Sequence, residues 1–138
     1  MTRRLTHIIL TAGLSTLLGA VNLSAQGQRE VAEIPFAFHA NHKLMPAGKY
    51  VVEQKNEIGI FQLRDSAGEA IFVSMIQQDR GKADNPKLTF RCYGNDRVLA
   101  QVWTEDGRGY GVSESSIEKD LHRRLDMAAL ISVRLTPR

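Results

Sequence analysis

The chain has 138 residues, of which 18 are Lys or Arg and 15 are Asp or Glu, and its single cysteine excludes an intrachain disulfide. This length is sufficient for one small domain with a modest core. Arg3 and Arg4 belong to a distinct N-terminal segment that carries no acidic residue, so the rest of the chain is nearly neutral and nucleic acid is not a predicted partner.

Residues 1–25 have the order of a secretory signal: a basic start, an apolar run and small residues before a cleavage site. The apolar run, 8–23, is interrupted by Thr, Ser, Gly and Asn, which makes it too short and too polar for a transmembrane helix. We expect cleavage after Ala25 and export of a single β-rich domain, residues 26–138, to the periplasm or the medium. No transmembrane segment is expected after the leader is removed.

Apolar residues then alternate with period two, which predicts a first strand at 34–38 with Pro35 on the other face, either in an edge strand or at a position that points outward. Asn41 and Gly48 supply the turn chemistry for a reversal. The following segments are short, rich in β-branched and aromatic residues and bounded by turn residues. They predict further strands at 49–54, 58–64, 70–77, 87–93 and 97–104.

Two of these strands allow more specific predictions. The segment 70–77, AIFVSMIQ, is apolar on both faces and therefore predicts a central strand or one covered on both sides. In the segment 87–93, Cys92 shares a face with Leu88 and Phe90, so we expect it to be a small buried apolar residue.

The C-terminal part predicts one helix and a last strand. Ser115 followed by Glu118 is typical of a capping box, and an Ile and Leu repeat at every fourth position predicts a helix at 116–127. Alternation returns at 130–136 and predicts a seventh strand. The predicted fold class is mostly β: a small antiparallel β-barrel or β-sandwich of about seven strands with one helix in the C-terminal region.

Three segments carry a resemblance: IPFAF, LMPAGKY and KLTFRCYGNDRVLAQVW. In these the chain resembles a family of small exported β-rich proteins of soil bacteria, with the pattern IPFxF, LPAGxY, YG and VW. The resemblance covers most of the chain after the leader and implies the β-rich fold, with no activity to transfer. Its residues are Pro35, Phe36, Phe38, Pro46, Ala47, Gly48, Tyr50, Phe90, Tyr93, Gly94 and Trp103.

His39 and His42 are the candidate metal ligands. Zinc takes four ligands, or three protein ligands and a water, and His122 has no acidic or thiol partner at ligand spacing. We therefore predict no metal, no cofactor and no catalytic residue. The alternative is a small metal-dependent hydrolase that uses His39, His42 and an acidic loop residue.

The segment 103–111, WTEDGRGYG, is the candidate binding loop. Its glycines allow a ligand to approach the backbone closely, and an anion could bind beside Arg108 at the start of the following helix. Trp103, Arg108 and Tyr110 are the candidate contacts with a ligand or partner. The competing interpretation is a flexible connector between sheet and helix, with Trp103 in the core.

The predicted function is that of an exported, non-catalytic binding or structural protein of the cell envelope. Its partner would be an envelope protein or a small ligand, contacted through a sheet edge or the 104–111 loop. Pairing of edge strands between copies is a further hypothesis, and the oligomeric state stays open.

Overall fold

The computed structural model describes residues 28–80, 85–126 and 129–138, so the predicted leader lies outside the described residues. The described residues form eleven strands and one helix, and the strands join in one sheet that curls into an open half-barrel. The strands are β1 (Arg29–Ile34), β2 (Phe38–Ala40), β3 (Lys43–Met45), β4 (Gly48–Gln54), β5 (Ile60–Asp65), β6 (Ala70–Ser74), β7 (Ile76–Arg80), β8 (Lys87–Tyr93), β9 (Asp96–Trp103), β10 (Arg108–Gly111) and β11 (Ala129–Pro137). The helix is α1 (Ser116–Arg124).

The strands follow the order β3-β2-β9-β8-β11-β1-β4-β5-β6, and β10 pairs with both β9 and β7. Neighbours are antiparallel, except that β2 and β9 make a short parallel contact at His39 and Val98. β6 pairs with β5, and Met75 leads directly into β7, which pairs with β10. The chain thus passes from β6, at one end of the strand order, to the β7–β10 pair, which lies beside β9 near the other end. This connection brings the two ends of the curled sheet towards each other.

The core lies inside this curl. Inward side chains from the two halves of the sheet form one cluster, in which the rings of Phe38 and Phe90 meet edge to face with centroids 5.3 Å apart. Burial of these apolar side chains is the main stabilising contribution, since the chain has no disulfide. The fully buried large side chains are Ile34, Phe38, Met45, Tyr50, Phe61, Leu63, Leu88, Phe90, Tyr93, Leu99, Tyr110 and Leu135.

The mostly β class with one helix is confirmed, whereas the count of about seven strands is wrong. The first predicted strand, 34–38, spans the break between β1, which ends at Ile34, and β2, which begins at Phe38, because Pro35 lacks an N–H and the chain bends there. A hairpin between β2 and β3 was missed as well. Asn41, at φ 54°, forms its tight turn in the left-handed region that asparagine tolerates.

The prediction of a central strand at 70–77 is wrong. Met75 divides this segment into β6 and β7, and β6 is the last strand in the sheet order. Phe72 is 56% exposed and Ile76 is 64% exposed, so the second apolar face is directed to solvent. Apolar residues on both faces therefore indicate here an uncovered outer face and not double coverage.

The C-terminal predictions agree with the structure over most of their length. The Ser115 hydroxyl accepts a hydrogen bond from the Glu118 N–H at 3.1 Å and caps α1, which ends at Arg124 and not at residue 127. The last strand was placed correctly, and β11 lies between β8 and β1. Cys92 is buried, as predicted.

Candidate functional site

The segment 104–111 forms a turn and a strand of the sheet, and not an irregular connector between sheet and helix. Residues 104–107 form a turn, in which the Thr104 N–H donates to the Arg108 carbonyl at 2.9 Å, and β10 follows directly. Partial burial opposes ionisation of Asp106, but hydrogen bonds from Thr104 and Arg108 outweigh it and hold the pKa of Asp106 below its usual value. The Arg108 guanidinium is therefore engaged within the turn.

The three candidate contact residues do not form one surface. Tyr110 is fully buried, its hydroxyl accepts a hydrogen bond from Gln54 at 3.2 Å, and its ring meets Phe61 edge to face. Trp103 stays half-buried and lies over Gly109, where an added Cβ would be 3.0 Å from the indole ring. Tyr110 is thus a core residue, and Trp103 explains why its partner position in β10 is a glycine.

The histidines contact different neighbours. His39 lies on β2 with Nε2 at 3.5 Å from the Asp96 carboxylate, and its Nδ1 is buried without a hydrogen-bond partner among the described residues. His42 lies in the exposed β2–β3 turn with Nδ1 at 3.4 Å from the Ser116 hydroxyl. Within residues 28–80, 85–126 and 129–138, no three His, Cys, Asp or Glu side chains come together as a metal ion would require. The geometry needed by the metal-dependent hydrolase is not found in that part.

The strongest candidate site is the seam, defined here as the gap between the edge strand β6 and the β2–β3 hairpin. Two side chains of the hairpin reach across it: the Asn41 amide donates to the Phe72 carbonyl at 2.6 Å, and Lys43 pairs with Glu69 at 3.0 Å. The second pair is largely exposed and contributes little to stability. Side-chain contacts therefore close the seam. A neighbouring strand would instead close it by backbone hydrogen bonds.

The backbone of β6 offers hydrogen-bonding groups to the seam. The Phe72 carbonyl is directed away from β5, while the N–H of Met75 donates towards β5, to the Gly59 carbonyl at 2.8 Å. In an antiparallel strand the N–H and C=O of one residue point the same way and alternate along the strand. The N–H and C=O groups of Ala70, Phe72 and Ser74 therefore face the seam.

A cleft of about 310 Å³ continues the seam beyond Ser74. The β2–β3 turn residues Asn41 and His42 form one side, and residues 112–115, which lead into α1, form the other. Its walls combine hydroxyl and apolar groups with the side chains of Glu114 and Glu118. An extended chain lying along β6 would place its next residues in this cleft.

Glu118 holds the helix side of the cleft and was interpreted from the sequence as a capping residue only. Its carboxylate is buried, accepts a hydrogen bond from the Tyr93 hydroxyl at 2.9 Å and forms a two-point ion pair with Arg91, whose Nη2 lies at 3.2 Å. Burial and this hydrogen bond raise the pKa of Tyr93 to about 12. The sequence contained one indication of this network: Arg91 and Tyr93 lie two positions apart on β8, on the face opposite the apolar one.

Comparison of the chain with protein-family models, with curated proteins and with solved structures gives no significant match. The resemblance to small exported β-rich proteins therefore stays a prediction. In the described part of the chain, no helix has the length and apolar character needed to cross a membrane.

Proposed function

We propose that the protein is an exported, non-catalytic binding protein of the cell envelope that captures an extended segment of a partner protein as an additional strand on β6. The observation that carries the proposal is the β6 edge, where backbone groups face the seam beside the exposed Phe72. Addition of a strand to a free sheet edge is a common mode of peptide recognition, with backbone hydrogen bonds for affinity and side-chain pockets for specificity.

The composition of this edge supports binding. Edge strands of natural proteins are normally protected against pairing by charged residues, proline or bulges. β6, Ala70–Ser74, has no charged residue and no proline, and its outward side chains include Phe72. The protection comes from Asn41. Its side-chain amide donates to the Phe72 carbonyl, in the place where the backbone N–H of an added strand would donate.

The cleft beyond Ser74 favours a partner segment over a second copy of this chain. An extended segment can pair with β6 and place its following residues between the β2–β3 turn and residues 112–115. Any strand added to β6 must displace the Asn41 amide from the Phe72 carbonyl, but a single segment displaces one hairpin, whereas a two-fold dimer through β6 would have to displace the β2–β3 hairpins of both copies. The seam therefore fits a single strand better than a folded domain.

We also infer a barrel in preference to a sandwich as the architecture that presents this edge. The support is that one core cluster, lined by strands from β1 to β11, lies inside one curled sheet. A sandwich would bury this cluster between two separate sheets.

The experiment is selection of binders from a random peptide library against residues 26–138, followed by hydrogen exchange of the complex. We expect the amides of Ala70, Phe72 and Ser74 to gain protection, since they would donate to the added strand. Peptides N-methylated at the paired positions should lose binding, because N-methylation removes their donors.

A pair of variants distinguishes peptide binding at the seam from nonspecific binding to exposed apolar side chains. Phe72→Lys should weaken peptide binding roughly tenfold or more. Leu130→Lys is the matched control, because Leu130 is 59% exposed and lies on β11, and it should leave binding unchanged. Protection that appears away from β6, or a concentration-dependent dimer that Phe72→Lys abolishes, would overturn the proposal.

A further inference from the structure

A second concave region lies on the outer side of the sheet, where β11 changes its partner. Residues 129–134 of β11 pair with β8, and only residues 135–137 pair with β1. β1 in turn pairs with β11 through Glu30–Ala32 and not through Glu33 and Ile34. The two strands diverge beyond this point and leave a groove of about 620 Å³.

The charges in this groove are unbalanced. Lys49, Arg134 and Arg138 line it together with one carboxylate, Glu33. Among the described residues, none of these four side chains takes part in an ion pair. The charged side chains of the groove therefore have an excess of two positive charges.

Some other cations of the described sheet are paired with carboxylates. Arg29 pairs with Glu53 at 3.2 Å and Lys43 with Glu69 at 3.0 Å. Cations of one sign that line a concave surface focus the local potential and attract anions. The groove therefore has the electrostatics of an anion site. Glu33 lowers its positive charge and so limits the negative charge of the anion that it binds.

The wall between these charges is apolar. Val31 and Val133 line the groove, and Val133 also packs against the core. The apolar part of the groove thus reaches from the surface to the interior cluster. A volume of about 620 Å³ lies within the roughly 300–1,000 Å³ range of small-molecule sites.

From this arrangement we propose that the groove binds an anionic amphiphile, a molecule with a carboxylate or phosphate head group and an apolar chain. Arg134, with Lys49 and Arg138, holds the head group, since guanidinium and ammonium groups bind such anions by charge-assisted hydrogen bonds. The apolar chain lies against Val31 and Val133. This site is independent of the seam, because β5 and β4 separate β6 from β1 in the sheet.

The test uses dodecanoate as the soluble probe, with dodecanol and acetate to separate the contributions of chain and head group. We expect saturable binding of dodecanoate by calorimetry and weaker binding of both other probes. Arg134→Ala and Lys49→Ala should each weaken dodecanoate binding roughly tenfold, the effect of removing one charged hydrogen bond.

Arg123→Ala is the matched control, because Arg123 is an exposed arginine on α1 and does not line the groove. It should leave binding unchanged, and the thermal midpoints of all variants should show that they fold. A second arm uses vesicles that contain an anionic phospholipid.

The two arms distinguish the source of the head group. Binding of dodecanoate alone supports a free ligand, and binding of vesicles that is lost in Arg134→Ala supports a lipid head group. Equal binding of dodecanoate and dodecanol, an unchanged affinity in Arg134→Ala, or no binding in either arm would overturn the proposal.

Discussion

Two buried glutamates of this small domain have opposite surroundings. Glu118, on α1, is 1% exposed and has Arg91 and Tyr93 as partners. Glu30, on β1, is 7% exposed and lies near the carboxylates of Glu105 and Asp106. Burial, and then repulsion by these two carboxylates, raises the pKa of Glu30 to about 7.

The difference shows that the neighbours of a buried carboxylate decide whether it stabilises the fold. The Glu118 ion pair compensates for desolvation and fixes α1 on the outer face of β8. Glu30 obtains no such compensation from Glu105 and Asp106, and it lies beside a cavity of about 300 Å³. Arg134 lines this cavity as well as the proposed amphiphile groove.

The largest expected effect is that of Glu118→Ala. The substitution leaves the Arg91 guanidinium without its anion and the Tyr93 hydroxyl without its acceptor. Breaking a buried pair on one side costs about 3–5 kcal/mol, and we expect the lower end because Arg91 keeps some contact with solvent. Urea unfolding measures the loss.

Asp120→Ala is the control on the same helix. Asp120 pairs with Arg124 at 2.8 Å, but both side chains are largely exposed, so the loss should stay below about 0.5 kcal/mol. Equal losses in the two variants would contradict the stabilising role of the Glu118 network.

The fold class could be predicted from the sequence because alternation, turn residues and one capping box agree with each other along the chain. The strand breaks at Pro35 and Met75 could not be located as reliably. At Pro35 the apolar alternation continues through the bend, and Met75 separates β6 from β7 only because the two strands find different partners. Tertiary pairing, and not local preference, decides such boundaries.

The candidate sites were less accessible to sequence reasoning. Tyr110 was singled out because it adjoins glycines, yet Gly109 serves close packing against Trp103 of β9 and Gly111 against Gln78 of β7. Lys49 and Arg134 are 85 positions apart in the sequence and meet in one groove through the order β11-β1-β4. No local pattern reports a site assembled by sheet order.

The second prediction is that Glu30 makes stability depend on pH. The folded-state pKa of about 7 exceeds the ordinary value of 4.5, so the folded state binds the proton more tightly. The resulting stability is fully present below pH 4.5 and is lost as the pH rises to 7 and beyond. Glu30→Gln should remove this slope and stabilise the protein by on the order of 2 kcal/mol at pH 8.

Denaturant unfolding of both proteins at a series of pH values measures this difference. The wild type and Glu30→Gln should have similar stability at pH 4, where Glu30 is protonated in the folded chain and mostly protonated in the unfolded chain. A parallel pH dependence of the two proteins would show that Glu30 does not titrate as stated.

A smaller effect is expected at the start of α1. Ser115→Ala removes the hydroxyl that accepts from the Glu118 N–H, and loss of such a cap costs about 1 kcal/mol. The Glu118 ion pair itself should persist, so the loss should be well below that of Glu118→Ala. Ser113→Ala is the control, since Ser113 is exposed and precedes the cap position, and urea unfolding of the three variants ranks the contributions.

The smallest effect separates the two causes of the Glu30 shift. Burial is the larger cause and repulsion by Glu105 the next, so Glu105→Gln should lower the pKa of Glu30 only in part. The pH slope of stability should persist with its midpoint moved to lower pH, a change of about 0.5 kcal/mol at pH 7. If Glu105→Gln abolished the slope, repulsion would be the dominant cause, and the contrast between Glu30 and Glu118 would be one of charge alone and not of desolvation.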